Sequence, residues 1–445
     1  MQIVIAGAGK VGYMIAKHLM VHNNVTVIDK NEDAIKKIEE NLDVLAVCGD
    51  IENPHTYLSV DSEIDLFIGV TDSDEVNMVA SLIIDKITTV NKKVIRLKNS
   101  FFADDLVKER LGINDFVIPS FEAAQPFKYL IDFPIVRNVK SFEYTKALLV
   151  SIRIPENFEA KMISSLTEDF DSKIVPAGIE RDGEFYIPTK ADMLNPNDLV
   201  YFYTYPKALK EIQYAIYPAD EERYDIRNCV IFGADSLGLE IAKVLIKKDL
   251  NIQIIDKDLE KCEKANLILK EKVTVIKSTY DSDHMLESDG VVPDLFIVAS
   301  NNDEYNIAKC MEAKYNGINK VITINNDIAY SKLMRNLNLE VVRGEKINAY
   351  YSILEKIESS KIVIKRQFCG GDGILMMRKI FNSSELVDSF ITLPSKLENL
   401  GGFFIQRDTQ ILPYNSVDSF KENDMIVAIG KSEDSQAISN WIHEN

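Results

Sequence analysis

Gly7, Gly9 and Gly12 stand in the run Gly7-Ala8-Gly9-Lys10-Val11-Gly12, directly after the apolar stretch Ile3 to Ala6 and ahead of Val11, Ile15 and Leu19 on one helical face. Between a strand and a helix, glycines at this spacing serve anion binding. The first permits the tight turn, the second lets the backbone approach a pyrophosphate, and the third lets the helix pack close to the sheet. The N-terminal N–H groups of the helix then face the phosphates. Asp29 and Lys30 end the next apolar run, Val25 to Ile28, and a carboxylate at Asp29 is placed to accept ribose hydroxyls. Its charge repels a 2′-phosphate, so NAD or NADH is expected rather than NADP.

Other polar residues follow later apolar runs: Cys48-Gly49-Asp50, then Thr71-Asp72-Ser73-Asp74-Glu75 with Asn77, then Arg96 with Lys98. In a doubly wound sheet these positions converge on the carboxyl edge, where ligands bind. Asp50 could meet the adenine edge or a ribose, Thr71 and Asn77 could hydrogen-bond the ligand, and Arg96 could neutralise a phosphate. Each is equally a residue type that caps helices or carries surface charge. The acidic run Asp72 to Glu75 lacks the glycine and distal glutamate of a calcium loop, and reads as a helix N-terminus. The expected nucleotide set is Gly7, Ala8, Gly9, Lys10, Val11, Gly12, Asp29, Lys30, Cys48, Gly49, Asp50, Thr71, Asp72, Asn77 and Arg96, with no catalytic residue and no metal ligand.

The elements that must position this set recur one half-chain later. Gly233-Ala234-Asp235-Ser236-Leu237-Gly238 answers the first glycine run, and Asp256 answers Asp29. Asp235 stands where Gly9 stood and brings a side chain and a negative charge to the pyrophosphate position. Cys48-Gly49-Asp50 becomes Lys277-Ser278-Thr279, and Arg96 is expected to become Thr323. The second copy therefore reads as a structural unit whose site has lapsed, although Asp256 leaves an adenosine or a cationic group as the alternative.

Short β-branched runs alternate with amphipathic segments, the pattern of a parallel sheet covered by helices. Strands are expected at 2 to 6, 25 to 29, 44 to 47, 66 to 70, 93 to 97 and 115 to 118, and again at 228 to 232, 252 to 256, 273 to 276, 295 to 299, 320 to 324 and 340 to 342. The segments that follow also match each other: Ile179-Glu180-Arg181-Asp182 with Asn197-Asp198 corresponds to Ile405-Gln406-Arg407-Asp408 with Asn423-Asp424. The fold class expected is α/β, with two tandem Rossmann-like doubly wound parallel-sheet domains (1–136 and 226–350), each followed by a small α+β module (137–220 and 360–445). Residues 216 to 227 make the linker between halves.

The 445 residues are 46% hydrophobic and 27% charged, with 69 acidic against 51 basic side chains and a net charge of −18. This charge balance argues against a nucleic-acid partner. The chain opens on a strand without a signal-like segment, and no apolar run reaches the roughly 18 residues of a membrane span, so a soluble, cytoplasmic protein is expected. Five cysteines and five histidines show neither disulfide nor zinc spacing. An NAD-dependent oxidoreductase is the competing reading. It would need a substrate-side acid or base, yet no GxSxG or HExxH motif is present, and no Tyr-x-x-x-Lys pair stands where a short-chain dehydrogenase needs one.

The GAGKVG turn, Asp29, CGD at 48–50, TDSDEVN at 71–77, Arg96 and the duplicated small module together resemble the TrkA family, the cytoplasmic regulatory subunits of Trk-type potassium uptake systems, built from two RCK units. The resemblance covers essentially the whole chain. It implies binding of NAD or NADH, with ATP and ADP as competing ligands, at Gly7, Gly9, Gly12, Asp29, Asp50, Thr71 and Arg96. It also implies a homo-oligomer, a tetramer by family pattern, docked beneath a separate potassium-translocating membrane protein.

Overall fold

The computed structural model describes residues 1–60, 63–142, 144–167, 174–217, 226–278, 292–357, 363–382 and 384–443. Most of the expected linker, 218–225, and Thr279 lie outside the described residues. By their contacts the residues form two units. One comprises Met1–Ala124 with Asp235–Ile241 and Arg343–Ile357; the other comprises Gln125–Ala234, Ala242–Val342 and Glu358–Asn445.

In the first unit, β1 (Gln2–Ala6), β2 (Asn24–Asp29), β3 (Leu45–Cys48), β4 (Glu63–Gly69), β5 (Thr89–Arg96) and β6 (Asp115–Val117) form one parallel sheet in the order β3-β2-β1-β4-β5-β6. Ile3 pairs with Val25 on one side and Leu66 on the other. Both faces are covered, which is why β1 reads as an unbroken apolar run rather than an alternating one. On one face Ile3, Ile5, Val27 and Ile68 pack with Val11, Ile15 and Leu19 of α1 (Lys10–Leu19). On the other, Val4, Ala6 and Phe67 pack with Ala80 and Ile84 of α3 (Asp74–Ile87). Strand order reverses between β1 and β4, so the crevice at their carboxyl ends is the ligand position of this topology.

The helix Glu345–Ile357 completes the first face: Ala349, Ile353 and Ile357 join the core built by α1 and the sheet. Tyr350 Oη lies 3.3 Å from His18 Nδ1, and Ser352 Oγ donates to Glu122. Residues 345–350, expected with the second parallel sheet, thus pack with the first. Helix periodicity shows that a face is apolar, but not which sheet it will cover.

In the second unit, Thr274–Lys277, Asn251–Asp256, Asn228–Phe232, Leu295–Val298, Lys320–Asn325 and Glu340–Arg343 form a sheet in that order, the same topology as the first. Each of the two small modules is a five-stranded antiparallel sheet. The first runs Val136–Phe142, Thr145–Arg153, Leu199–Thr204, Ile174–Arg181, Glu184–Tyr186, and the second Val363–Phe368, Gly373–Lys379, Met425–Lys431, Gly401–Arg407, Gln410–Pro413. They share one apolar core in which Leu149, Tyr201 and Tyr203 meet Phe368, Leu375 and Val427. Within it Gln406 accepts from Tyr203 and donates to Thr145 Oγ1 at 2.7 Å.

The module landmarks have a physical basis. Arg181 Nε and Nη2 each donate at 2.8 Å to the two carboxylate oxygens of Asp198, and Arg407 grips Asp424 in the same way at 2.9 and 2.7 Å. Both aspartates are 1% exposed. The residues after the arginines take left-handed hairpin turns, φ 52° at Asp182 and 53° at Asp408, and aspartate is among the side chains that tolerate them.

Candidate functional site

The three glycines of the first turn are not alike. Gly7 has φ 116°, and a Cβ there would lie 3.1 Å from Thr71 N. A Cβ on Gly12 would lie 1.9 Å from Gly7 O. The fold itself requires both to be glycine. Gly9, by contrast, has φ −65° and ψ −176°, which any residue adopts, is exposed, and would place a Cβ with no atom within 4 Å. Among the described residues nothing claims the space above it. Gly9 is also the N-cap of α1, and no side chain caps that helix, whereas α2 (Glu32–Asn41) and α3 are capped by Asn31 and Ser73. Backbone donors at an uncapped N-terminus beside an open glycine suit a phosphate. Ala8 and Val11 are buried beneath this turn, and Lys10 is exposed. In the second half Gly233 keeps the strained geometry, φ 114° with a Cβ position 2.9 Å from Ala299 O, and Gly238 is buried like Gly12. The duplicate retains the glycines of the turn and the packing position and carries Asp235 at the open one.

Asp29 is half-buried at the end of β2; its Oδ2 accepts from Ala8 N at 2.7 Å and its Oδ1 from Asn31 N at 2.9 Å. Asp256 does the same with Ala234 N at 2.8 Å and Asp258 N at 3.0 Å. Lys30 and Cys48 are exposed, with Cys48 in register beside Asp29. Gly49 N donates to Asp29 O at 3.0 Å, and a Cβ on Gly49 would lie 2.6 Å from Thr56 Cγ2. Asp50 is exposed and accepts from Glu52 N at 3.0 Å through Oδ1.

Asn77 requires a correction. Expected to hydrogen-bond the ligand, it is fully buried and all its polar groups are engaged. Oδ1 accepts from Thr71 N and Oγ1 at 2.9 and 2.7 Å, while Nδ2 donates to Thr71 O and Arg96 O at 3.2 and 3.0 Å. It latches the end of β4 to the end of β5, and Asn306 does the same with Ser300 and Ile324 O. The matched latch also corrects the register, since the counterpart of Arg96 is Ile324 rather than Thr323. Both halves therefore share the scaffold, but only the first carries a cation at this position.

Arg96 is 7% exposed, and its Nε has no hydrogen-bond partner. Its Nη1 lies 3.3 Å from Asp72 Oδ1, and Lys98 Nζ lies 3.5 Å from the same oxygen. Partial desolvation raises the Asp72 carboxyl, but the charges of Lys98 and Arg96 outweigh it and hold the group below the usual carboxylate range. Asp74, not among the expected site residues, accepts from Lys98 N and Asn99 N at 2.7 and 2.9 Å. That clasp fixes the loop carrying Lys98. Its signal was the repeated Asp-Glu-x-Asn, since Asp303 likewise accepts from Asn326 N at 2.8 Å.

The structure thus gathers the glycine turn, Asp29, Cys48 to Asp50, Thr71, Asp72 and Arg96 along one sheet edge. Gly7 abuts Thr71, Asn77 joins Thr71 to Arg96, and the Arg96 guanidinium has donor capacity left over. Among the described residues no group of three or more His, Cys, Asp or Glu side chains is placed to hold a metal, and no helix is long and apolar enough to cross a membrane.

Residues 3–119 and 229–343 each match the TrkA-N domain. The chain is 26% identical over 419 residues to the Trk system potassium uptake protein TrkA homolog of Archaeoglobus fulgidus, covering 93% of each chain. It is 25% identical over 376 residues to the Trk system potassium uptake protein TrkA of Halomonas elongata, covering 82% of this chain and 80% of that one. Among solved structures, the GsuK RCK domain aligns with a TM-score of 0.61 at 17% identity, over 100% of this chain and 95% of that chain. The GsuK channel bound to NAD aligns with a TM-score of 0.61 at 16% identity, over 100% of this chain and 79% of that chain.

Proposed function

The chain belongs to the TrkA-N domain family, with one match in each half, and from that premise we propose that it is the nucleotide-responsive regulatory subunit of a Trk-type potassium uptake system. It binds NAD or NADH, with ATP and ADP competing, through the glycine turn, Asp29, Asp50, Thr71 and Arg96. It acts by binding rather than turnover, as a homo-oligomer at the inner face of the cell membrane, on a separate protein that forms the potassium path. The observation that carries the nucleotide reading is Gly9, a glycine that neither backbone strain nor packing demands, set at the uncapped start of α1. The names of the two relatives supply the potassium-uptake class, and the long alignments with them support carrying it to this chain.

Regulation of this kind is a coupling free energy. A ligand that binds two arrangements of the assembled subunits unequally shifts their populations, and a ligand with equal affinity for both shifts nothing. Calorimetry of the full chain with NADH, NAD, ATP and ADP, followed by potassium uptake in cells expressing it with its membrane partner, tests the reading. Absence of binding by all four, or uptake indifferent to a bound nucleotide, would sink it.

A further inference from the structure

At the carboxyl end of β5 two side-chain cations share one carboxylate oxygen, that of Asp72, while the neighbouring Asp74 carboxylate is taken up by the backbone N–H groups of Lys98 and Asn99. A buried guanidinium needs anionic partners, yet among the described residues Arg96, its side chain 8% exposed, is answered by the single carboxylate oxygen Asp72 Oδ1 at 3.3 Å, a long contact for such a pair. Lys98 draws on that same oxygen from 3.5 Å, and Arg96 Nε is left without a partner. The Asp72 side chain is 88% exposed and can swing into solvent without disturbing the core. The cluster borders the glycine turn, because Asn77 ties Arg96 O to Thr71 and Thr71 N lies against Gly7.

Building on the nucleotide site proposed above, we propose that Asp72 is a displaceable counter-ion that sets which class of nucleotide the site prefers. A nucleoside triphosphate ends in a terminal phosphate, whose several oxygens satisfy Arg96 and Lys98 better than one shared carboxylate oxygen does. To bind, it must push Asp72 aside and tolerate the nearby negative charge. A dinucleotide whose far end is an uncharged dihydronicotinamide leaves the Asp72 pairs intact. Asp72 therefore handicaps ligands in proportion to their terminal negative charge, and Arg96 is the group for which carboxylate and phosphate compete.

Calorimetry of the full chain with NADH, AMP, ADP and ATP, comparing wild type with Asp72→Asn, tests this. The expected result is a gain of about tenfold for ATP, a smaller one for ADP, little for AMP, and a change for NADH several-fold smaller than that for ATP. Adding Arg96→Met to Asp72→Asn should abolish the ATP gain. Equal changes for NADH and ATP, no change for either, or an ATP gain that survives loss of Arg96 overturns the proposal. No binding of any nucleotide to either protein overturns the site reading as well, whereas binding to wild type with the wrong pattern in the variant overturns this inference alone.

Discussion

Asp29 is bonded to the glycine turn itself: its carboxylate accepts the Ala8 N–H at 2.7 Å, and Asp256 accepts the Ala234 N–H at 2.8 Å. Asp29→Ala should act twice. Loss of the buried Ala8 partner is expected to cost about 1–3 kcal/mol of stability, a fall in Tm of several degrees. Loss of the ribose acceptor is expected to weaken NADH binding by about ten- to a hundredfold. Asp256→Ala should lower Tm similarly without changing nucleotide affinity. If both variants, or neither, altered binding, the assignment of the ligand to the first half would be wrong.

Gly9→Asp, which copies Asp235, should separate folding from binding. The new Cβ meets nothing and the backbone is unstrained, and aspartate is a good N-cap, so stability should rise by a few tenths of a kcal/mol. NADH binding should disappear, and with it the nucleotide response of potassium uptake. A thermal melt and a calorimetric titration on one preparation suffice; a stable variant that still binds NADH would count decisively against the pyrophosphate position.

Gly12→Ala should do the opposite. Its Cβ would fall 1.9 Å from Gly7 O, backbone that cannot step aside, so a loss of about 1–3 kcal/mol or more is expected. Denaturant titration beside Gly9→Ala, expected to be near neutral, gives the contrast.

Arg181→Ala removes the partner of a carboxylate that is 1% exposed. Breaking such a pair from one side costs about 3–5 kcal/mol. The partial exposure of Arg181 and the remaining donor from Asn195 N, at 2.8 Å to Asp198 Oδ2, place the loss near the lower figure. Arg407→Ala should match it. Urea denaturation measures both, and a drop below about 1 kcal/mol in each would mean that water replaces the guanidinium without penalty.

Strand positions and the glycine turn are legible because they rest on local rules: apolar runs of strand length, and glycines at Gly7, where φ is positive, and at Gly12, where a Cβ has no room. The matched halves made the topology readable as well. What stayed hidden depends on partners distant in sequence. Asn77 has the look of a ligand contact until Thr71 O and Arg96 O are found on its amide, and composition cannot show which side of a helix start a side chain will face. The Arg181–Asp198 and Arg407–Asp424 pairs were visible as recurring letters but not as bonds. The counterpart of Arg96 reads as Thr323 rather than Ile324 in the sequence because neighbouring positions in an apolar strand look alike until a latch fixes the register.

The helix Glu345–Ile357 gives the chain an order of assembly. A ribosome releases the first parallel sheet early, but the helix that closes one face of its core follows more than half a chain later; His18 and Tyr350, which meet in the finished protein, are separated by 332 positions. Until then Ile15, Val11 and the neighbouring apolar surface lack their cover, and a nascent chain in that condition is a natural client for chaperones. The half that carries the proposed nucleotide site is thus synthesised before the other, yet its core closes only after most of the second half has followed.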